Sequence, residues 1–401
     1  MSDVEVRRAG DADVASILDL NRVGNGDDIE AEMAIAFRWG AMAPSDYAVA
    51  VADGEVVATV GLLANQLRVG SVVLPAGQPE YVATDPQHQG RGLAGRLLRV
   101  VQEWSEGRGD LVQYITGIRY FYRQFGYSYG LVRAPEIVVA PEQECAMPPG
   151  WQVRSAEARD IDRIRALQAS AQAAVDVAVP FADNLWPAFL EMSAAPLLVA
   201  VIDDRVDAFA RLRLGPDGAA RSPVHVQALA ASSSTAVAGT QAVLAGARVR
   251  YPGATLVVAD REGSATRAVV ADAASAAHRK WIYVRVPSFE RVLSALTPVL
   301  DERLARSVYA EESIELTISL YRSSVRLVIE GGRVIGVSSG PGVHEPEEVG
   351  AVGIPPELVP LLLFGTGGLA ALEEDPDVYL GVFRPLMAAL FPPLRLDILT
   401  W

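Results

Sequence analysis

The chain has 401 residues, half of them apolar, and carries a formal net charge of −14. This length predicts two or three domains with sizeable cores, and the negative charge argues against nucleic acid as a partner, because phosphates require a basic surface. No apolar run is long enough to span a bilayer and the charged N-terminal sequence is unlike a signal peptide, so we expect a cytoplasmic protein without a membrane partner.

Cysteine and histidine are too few and too scattered to predict a metal centre. Cys145 is the only cysteine, and His88, His225, His278 and His344 show no ligand spacing. We therefore expect no disulfide bond and no bound metal.

The N-terminal region predicts a strand, an amphipathic helix and a hairpin. Residues 4–9 have strand character, and apolar residues then recur at helical spacing. Residues 47–64 alternate around Asp53-Gly54, which is typical of a tight hairpin turn. The same series returns from residue 151, with a second hairpin around Asp203-Asp204, so the chain contains an internal repeat.

The segment from Val82 to Leu98 predicts a strand that opens through a glycine-rich turn into a helix. The core of the turn is Gln89-Gly90-Arg91-Gly92-Leu93-Ala94. Small residues there leave backbone N–H groups free to face a pyrophosphate at the positive end of the helix. The spacing excludes both GxxxxGK[ST] and GxGxxG. An ordinary turn, with glycines for packing, is the alternative.

The matching stretch of the second copy is LAASSSTAVAGTQAVL, residues 229–244, which lacks arginine. Its serines form either a phosphate nest or a solvated loop that leads into a helix. The loop agrees better with the pattern of small residues, so we interpret the second copy as a structural half that has lost the turn.

Four tyrosines follow the glycine-rich turn in the sequence TGIRYFYRQFGYSYG. A strand from Leu111 to Ile118 is predicted to lead into a short helix that carries or borders the four, which are Tyr120, Tyr122, Tyr127 and Tyr129. A phenol can protonate a departing thiolate. Packing is the alternative role for each of the four.

Changes in composition divide the chain further. Residues 140–150 are polar and rich in proline, as in a linker. After Pro287 the sequence predicts a helix, a hairpin around Gly331-Gly332 and two apolar helices, within residues 355–369 and 378–390. These elements indicate a small α+β domain at the C-terminal end.

Together these features resemble the Eis (enhanced intracellular survival) acetyltransferases of the GNAT superfamily. Residues 89–94 match the coenzyme A signature Q/R-x-x-G-x-G/A, and residues 122–127 match Y-x-x-F-G-Y. The resemblance implies a mixed α/β and α+β fold with two tandem GNAT domains and a sterol-carrier-protein-like domain. The implied ranges are 1–140 for the acetyl-CoA-binding domain, 150–285 for a degenerate second domain and 286–401 for the last. A homo-oligomer, in the family a hexamer, is implied as well.

The resemblance also implies the chemistry, which is transfer of an acetyl group from acetyl-CoA to an aminoglycoside-, polyamine- or lysine-like primary amine. Tyr122 would be the general acid, and the C-terminal α-carboxylate of Trp401 the base. The coenzyme contacts implied by the motifs are Val82, Ala83, Thr84, Gly90, Arg91, Gly92, Leu93, Ala94, Gly95, Gly117 and Ile118. Known members tend to carry arginines where Gln89 and Gly90 stand, so affinity for the coenzyme is expected to be lower.

Several alternatives stay open at this point. The alternative role of Trp401 is packing, in which case Glu80 is the rival base, with Gln78 on the same strand face. The carboxylates of Asp27, Asp28, Glu30 and Glu32 either bind the ammonium group of the acceptor or form a solvated helix N-terminus. Thr400 stands where an acidic residue would help to hold a polycation, so aminoglycoside acetylation stays open.

A function of another class is also compatible with the sequence. The sterol-carrier-like domain would then bind a lipid or another apolar ligand, and the acetyltransferase units would serve as a scaffold.

Overall fold

The computed structural model describes residues 4–143, 145–215, 222–270, 273–275 and 279–398, which form three β-sheets with helices packed around them. No helix within these ranges is both long and apolar enough to cross a membrane.

The strands share the alternating or wholly apolar patterns expected of half-buried and buried sheet. In chain order they are β1 (Glu5–Arg8), β2 (Tyr47–Ala52), β3 (Glu55–Val69), β4 (Val72–Thr84), β5 (Val112–Ile115), β6 (Ser128–Val132), β7 (Glu136–Val139), β8 (Gln152–Ser155), β9 (Val177–Val179), β10 (Leu197–Ile202), β11 (Arg205–Arg213), β12 (Val224–Ala231), β13 (Leu256–Ala259), β14 (Ala274–Ser275), β15 (Trp281–Arg285), β16 (Ile314–Ser319), β17 (Ser323–Glu330), β18 (Arg333–Pro341), β19 (Val352–Gly353) and β20 (Leu396–Ile398).

The α-helices pack against the sheets and against one another. They are α1 (Val14–Asn25), α2 (Asp27–Arg38), α3 (Leu93–Arg108), α4 (Ile161–Ala173), α5 (Leu185–Glu191), α6 (Ala236–Arg250), α7 (Thr266–Val269), α8 (Phe289–Ala295), α9 (Thr297–Ala305), α10 (Val359–Phe364) and α11 (Arg384–Leu390).

The first sheet has the order β1-β2-β3-β4-β5-β15-β6, and β9 pairs with both β3 and β20. The hairpin predicted at Asp53-Gly54 is confirmed, with φ angles of 52° and 87° that suit a type I′ turn. The parallel neighbours β4 and β5 pair only at Ala76–Val112 and Gly77–Gln113. The two strands therefore diverge beyond Gly77.

The second sheet has the order β14-β7-β13-β12-β11-β10-β8. Its antiparallel run β8-β10-β11-β12, followed by the parallel pair β12–β13, repeats the arrangement of β1-β2-β3-β4 and β5. The second predicted hairpin is present at Asp203-Asp204, both with positive φ. The repetition that the sequence predicts thus appears as a repeated order of strands.

The first two sheets exchange strands. β7 follows β6 along the chain but pairs with β13 in the second sheet. β15 follows the second-sheet strands but lies between β5 and β6 in the first sheet. Each sheet is therefore completed by a segment from the other part of the chain.

The third sheet has the order β18-β17-β16-β19. Its hairpin turns at Gly331-Gly332, as predicted, and both glycines have positive φ. Leu316 and Leu327 of this sheet belong to the same hydrophobic core as Leu67 and Leu74 of the first sheet. The third sheet and the first sheet therefore share one hydrophobic core.

Candidate active site

A cleft of about 800 Å³ opens where β4 and β5 diverge. Because the strands pair at only two positions, the part of β4 beyond Gly77 has no hydrogen-bonding partner on β5. The predicted site residues that line this cleft are Glu80, Val82, Thr84, Gly90, Gly92, Leu93, Ala94, Gly95, Gly117, Ile118 and Tyr122.

Two predicted coenzyme residues do not line the cleft. The side chain of Ala83 is buried on the other face of β4, where its Cβ lies close to Gly24 of α1. Arg91 is exposed, and its guanidinium donates to the carbonyl oxygen of Gln87 at 3.4 Å. For Ala83 only the main chain therefore remains as a possible contact.

The glycine-rich turn between β4 and α3 has the backbone conformation that its glycines permit. Gly90 and Gly92 have φ angles of 75° and 73°, and Gly92 is the N-cap of α3. No neighbouring heavy atom would crowd a Cβ at either position, so conformation and not space requires glycine. The first N–H groups of α3 have no intrahelical acceptors, as at every helix start.

Position 95 requires glycine for a different reason, which is lack of space. A Cβ at this position of α3 would lie 3.0 Å from the ring of Phe125, which follows Tyr122 on the next segment. The helix also holds this segment through Gln102, whose side-chain amide donates to the Phe125 carbonyl at 2.8 Å. The turn and the tyrosine segment are therefore fixed to one another across α3.

A β-bulge in β4 stands at the head of the cleft. Glu80 lies opposite Gly61 and Ala83 opposite Thr59, so two residues of β4 face one residue of β3. Tyr81 lies in the bulge with a φ of 54°, a conformation that is uncommon for a residue with a Cβ. The sequence gives no signal for it, since neither glycine nor asparagine marks the position.

Tyr122 is buried on a short 3₁₀ helix, Phe121–Phe125, and lines the cleft. A Cβ on Gly117 would lie 3.0 Å from the Tyr122 ring, and Gly117 has a φ of 145°. Burial raises the pKa of Tyr122 to about 12, and the negative charge of Glu80 acts in the same direction. The phenol is therefore protonated at neutral pH and can act as a proton donor.

The other three tyrosines occupy different environments. Tyr127 is buried and its hydroxyl donates to the side chain of Gln113 at 2.7 Å. Tyr129 is hydrogen-bonded to Tyr283, and that bond raises its pKa. Tyr120 is 76% exposed and does not line the cleft. Of the four candidates, Tyr122 is the one that lines the cleft.

Glu80 lines the inner end of the cleft, where it is partly exposed to the cavity and otherwise surrounded by protein. Its carboxylate accepts a hydrogen bond from the Gln78 amide at 2.7 Å, and Asn65 donates to the oxygen of that amide at 2.8 Å. Burial raises the pKa of Glu80 to about 7, against the opposing effects of the Gln78 bond and of Arg133 and Arg213. A carboxyl with this pKa can accept a proton near neutral pH.

The acidic residues of α2 do not share one role. Asp27 and Asp28 are exposed in the first turn, whereas Glu32 is only 2% exposed. The carboxylate of Glu32 pairs with Arg213 of β11 at 3.0 Å, and its second oxygen is buried without a partner. Glu32 therefore does not belong to a solvated helix N-terminus, and its partner Arg213 could not be identified from the sequence because it lies far away along the chain.

The last described strand, β20, runs in the direction of the level of the cleft. β20 is parallel to β9, and β9 is antiparallel to β3. From Leu396 to Ile398 the chain therefore runs in the direction that leads along β3 from Val69 toward Gly61. Asp397 of β20 pairs with Arg261 at 2.6 Å. Thr400 and Trp401 lie outside the described residues.

The second sheet has a different connection at the position of the glycine-rich turn. α6 begins at Ala236, four residues after Ser232, whereas α3 begins eight residues after Asp85. Hydroxyl groups of Ser232 and Thr235 donate to the buried carboxylate of Asp207. Burial favours the neutral acid, but these bonds and Arg205 prevail and hold the pKa of Asp207 at about 2. The serine-rich stretch is thus engaged in a structural hydrogen-bond network.

Among the residues that the structure describes, no cluster of His, Cys, Asp or Glu side chains could hold a metal ion. His278, one of the four histidines, is not among them.

Comparison with known proteins identifies the first part of the chain. Residues 5–130 match the family described as acetyltransferase (GNAT) domain. No curated protein matches the sequence.

Solved structures match along the entire chain. A GCN5-related N-acetyltransferase from Kribbella flavida is 16% identical, with a TM-score of 0.70 and coverage of 100% of this chain and 98% of that one. A GCN5-related N-acetyltransferase from Anabaena variabilis is 11% identical, with a TM-score of 0.71 and 99% coverage of both chains. Eis1 from Mycobacterium abscessus is 16% identical, with a TM-score of 0.61 and coverage of 99% and 100%. Residues 5–130 therefore match a GNAT acetyltransferase domain, and the whole chain shares its fold with Eis1, so the resemblance to Eis-like GNAT proteins is confirmed at the level of the fold.

Proposed function

We propose that this chain, whose residues 5–130 form a GNAT acetyltransferase domain, transfers an acetyl group from acetyl-CoA to a primary amine. The observation that carries the proposal is the cleft, in which the glycine-rich turn, the unpaired end of β4 and Tyr122 line one continuous surface. A thioester held on that surface would have an anion site at one end and a proton donor at the other.

The pyrophosphate of the coenzyme is assigned to the N–H groups of residues 90–95. The left-handed glycines of the turn and the free N–H groups of α3 support this assignment. The pantetheine arm is assigned to the main chain of residues 82–84, with Gly117 and Ile118 on the opposite wall. N–H groups on the unpaired side of β4 would also stabilise the oxyanion that develops during transfer.

Tyr122 is assigned as the general acid that protonates the departing thiolate. Its position in the cleft and its pKa of about 12 support the assignment, because the phenol stays protonated until the thiolate forms. Gly117 leaves room for the ring, so the acid and the proposed pantetheine contact adjoin.

The base is assigned to the terminal carboxylate of Trp401, with Glu80 as the alternative. The direction of β20, toward the level of Gly61 and its partner Glu80, agrees with the first assignment. An ordinary α-carboxyl has a pKa of about 3.5, so it would need desolvation to act as a base. Glu80 already has a pKa of about 7.

Residues 150–285, apart from β9 and β15, which belong to the first sheet, are proposed to form a second GNAT-like unit that does not bind coenzyme. The repeated strand order supports the common origin, and the shorter connection to α6 with its Asp207 network supports the loss of the turn. Residues 286–401 are proposed to form the sterol-carrier-protein-like domain. A cytoplasmic homo-oligomer, with an aminoglycoside-, polyamine- or lysine-like acceptor, completes the proposal.

The lipid-carrier alternative draws no support from the third sheet. Leu316, Ile318 and Leu327 are fully buried in a core shared with the first sheet. Their apolar surface is therefore already covered by protein.

The test is release of free thiol from acetyl-CoA by the full chain with a panel of polyamines, aminoglycosides and lysine peptides. Product formation should depend on an acceptor, and acetyl-CoA alone should raise the melting temperature. A protein that gains no thermal stability from acetyl-CoA and releases no thiol with any acceptor would overturn the proposal. Stoichiometric uptake of long-chain lipid by such a protein would favour the carrier.

A further inference from the structure

Tyr283 lies on β15, the strand that the second half of the chain contributes to the first sheet. β15 lies between β5 and β6, with Tyr283 opposite Ile115 on one side and Tyr129 on the other. The strand is also tied to α3, because Arg285 donates to Glu106 at 2.7 Å. Tyr283 thus enters the core beneath the cleft from a distant part of the sequence.

The Tyr283 hydroxyl makes two hydrogen bonds. It accepts the backbone N–H of Tyr120 at 2.6 Å and donates to the hydroxyl of Tyr129 at 3.0 Å. The ring is 2% exposed and stacks on the ring of Tyr129 at 4.4 Å. Ring and hydroxyl therefore have separable roles, packing for the first and hydrogen bonding for the second.

The residue that Tyr283 holds is in an unfavourable conformation. Tyr120 has a φ of 68°, in the left-handed region that residues with a Cβ seldom adopt. It is the N-cap of the 3₁₀ helix Phe121–Phe125, so its backbone sets the start of the helix that carries Tyr122. The bond from its N–H to Tyr283 fixes this turn from below.

Tyr283 also contacts the proposed acid directly. Its ring centroid lies 5.7 Å from that of Tyr122, and the two planes are inclined at 56°. A single side chain from β15 therefore fixes both the helix that carries Tyr122 and one face of its ring.

We infer that Tyr283 is the positioning residue for Tyr122, and that the strand exchange is the means by which the second half of the chain completes the active site. This inference rests on the function proposed above. Loss of the Tyr283 hydroxyl would release the turn at Tyr120 and let the Tyr122 phenol move away from the thiolate, while the coenzyme contacts on β4 and α3 stay in place.

The central test is the substitution Tyr283→Phe, which keeps the ring and removes both hydrogen bonds. We expect kcat to fall by about tenfold to a hundredfold, the range caused by a small misplacement of a reacting group. The KM for acetyl-CoA should change less than about twofold, because uniform binding is untouched. Tyr129→Phe is the matched control, since it removes one partner of Tyr283 but leaves the bond to Tyr120, and it should retain wild-type kcat.

A second variant tests the route through the turn. Tyr120→Gly removes the penalty of the left-handed conformation. In the Tyr120→Gly protein, the added substitution Tyr283→Phe should lower kcat less than it does in the wild type. The loss of kcat in the double variant should therefore be smaller than the product of the losses in the two single variants. Independent, multiplicative effects would overturn the proposed route, and a wild-type kcat in Tyr283→Phe would overturn the inference.

Amide hydrogen exchange at Tyr120 gives a readout that needs no turnover. Exchange should be faster in Tyr283→Phe than in the wild type and in Tyr129→Phe. If the wild type acetylates nothing, the proposed function fails and this measurement still decides whether Tyr283 holds the turn. Unchanged exchange would reject the positioning role even in an active enzyme.

Discussion

Gln78 donates its side-chain amide to the carboxylate of Glu80 across 2.7 Å, and Asn65 holds the amide in the orientation that makes this possible. The hydrogen bond from Gln78 favours the ionised carboxylate of Glu80 and so lowers its pKa, whereas burial favours the neutral acid and raises the pKa. Burial prevails, and the pKa of Glu80 rises to about 7. This balance makes Glu80 a group whose charge changes near neutral pH.

The substitution Glu80→Gln should therefore stabilise the protein more at pH 8.5 than at pH 5. Because the folded-state pKa lies above the ordinary 4.5, Glu80 contributes stability below pH 4.5 that is lost as the pH rises through 7. The gap between the two pKa values corresponds to an upper bound of about 3 kcal/mol. Denaturant unfolding of both proteins at the two pH values measures it, and equal differences at both would contradict the raised pKa.

Addition of two residues after Trp401 should abolish turnover without weakening acetyl-CoA binding, if the terminal carboxylate is the base. The extension converts the α-carboxylate of Trp401 into a peptide carbonyl and alters no residue of β4 or of the glycine-rich turn. Steady-state kinetics and a thermal-shift titration with acetyl-CoA measure the two effects. Unchanged turnover would transfer the role of base to Glu80, and Glu80→Gln would then be the inactive variant.

Tyr122→Phe should lower kcat by about a hundredfold, as expected when a general acid is removed. The ring packing with Phe121, Tyr127 and Tyr283 remains, so the melting temperature should stay close to that of the wild type. Tyr120→Phe is the matched control, because that hydroxyl belongs to an exposed side chain in the same segment. An equal loss of kcat in both variants would argue against Tyr122 as the acid.

Gly92→Ala should weaken acetyl-CoA binding by about tenfold or more, because a Cβ disfavours the left-handed N-cap by about 1 to 2 kcal/mol. Its φ is 73°, and no neighbouring atom would obstruct the methyl group, so strain in the turn is the expected cause. Gly107→Ala in α3 is the control, since that position is open and has no positive φ. Calorimetric titration with acetyl-CoA measures the dissociation constants of the two variants. Unaltered affinity in Gly92→Ala would move the pyrophosphate away from this turn.

The local elements of the fold are those that the sequence predicts well. Asp53-Gly54 and Gly331-Gly332 indicate hairpins because these residues favour positive φ, and the turn that they form depends only on residues that are adjacent in the sequence. The glycine-rich turn is predictable for the same reason. Alternation of apolar residues likewise identifies β3 and β11 without knowledge of their neighbours.

The long-range features could not be predicted in this way. The exchange of β7 and β15 depends on which sheet edge each strand meets, and their sequences contain no information about that partner. The positive φ of Tyr81 is imposed by the register of β3 and β4. The Glu32–Arg213 pair joins helix α2 to strand β11, which lies far away along the chain, so in the sequence Glu32 resembles any solvated helix carboxylate.

The exchange of strands also has a consequence for synthesis on the ribosome. β6 is complete at Val132, but its neighbour β15 does not begin until Trp281, about 150 residues later. At translation rates of about 5 to 20 residues per second, the edge of the nascent first sheet stays unpaired for roughly seven to thirty seconds. An unpaired edge of this kind invites aggregation, so the growing chain should depend on chaperones for longer than a protein of the same length whose sheets close in sequence order.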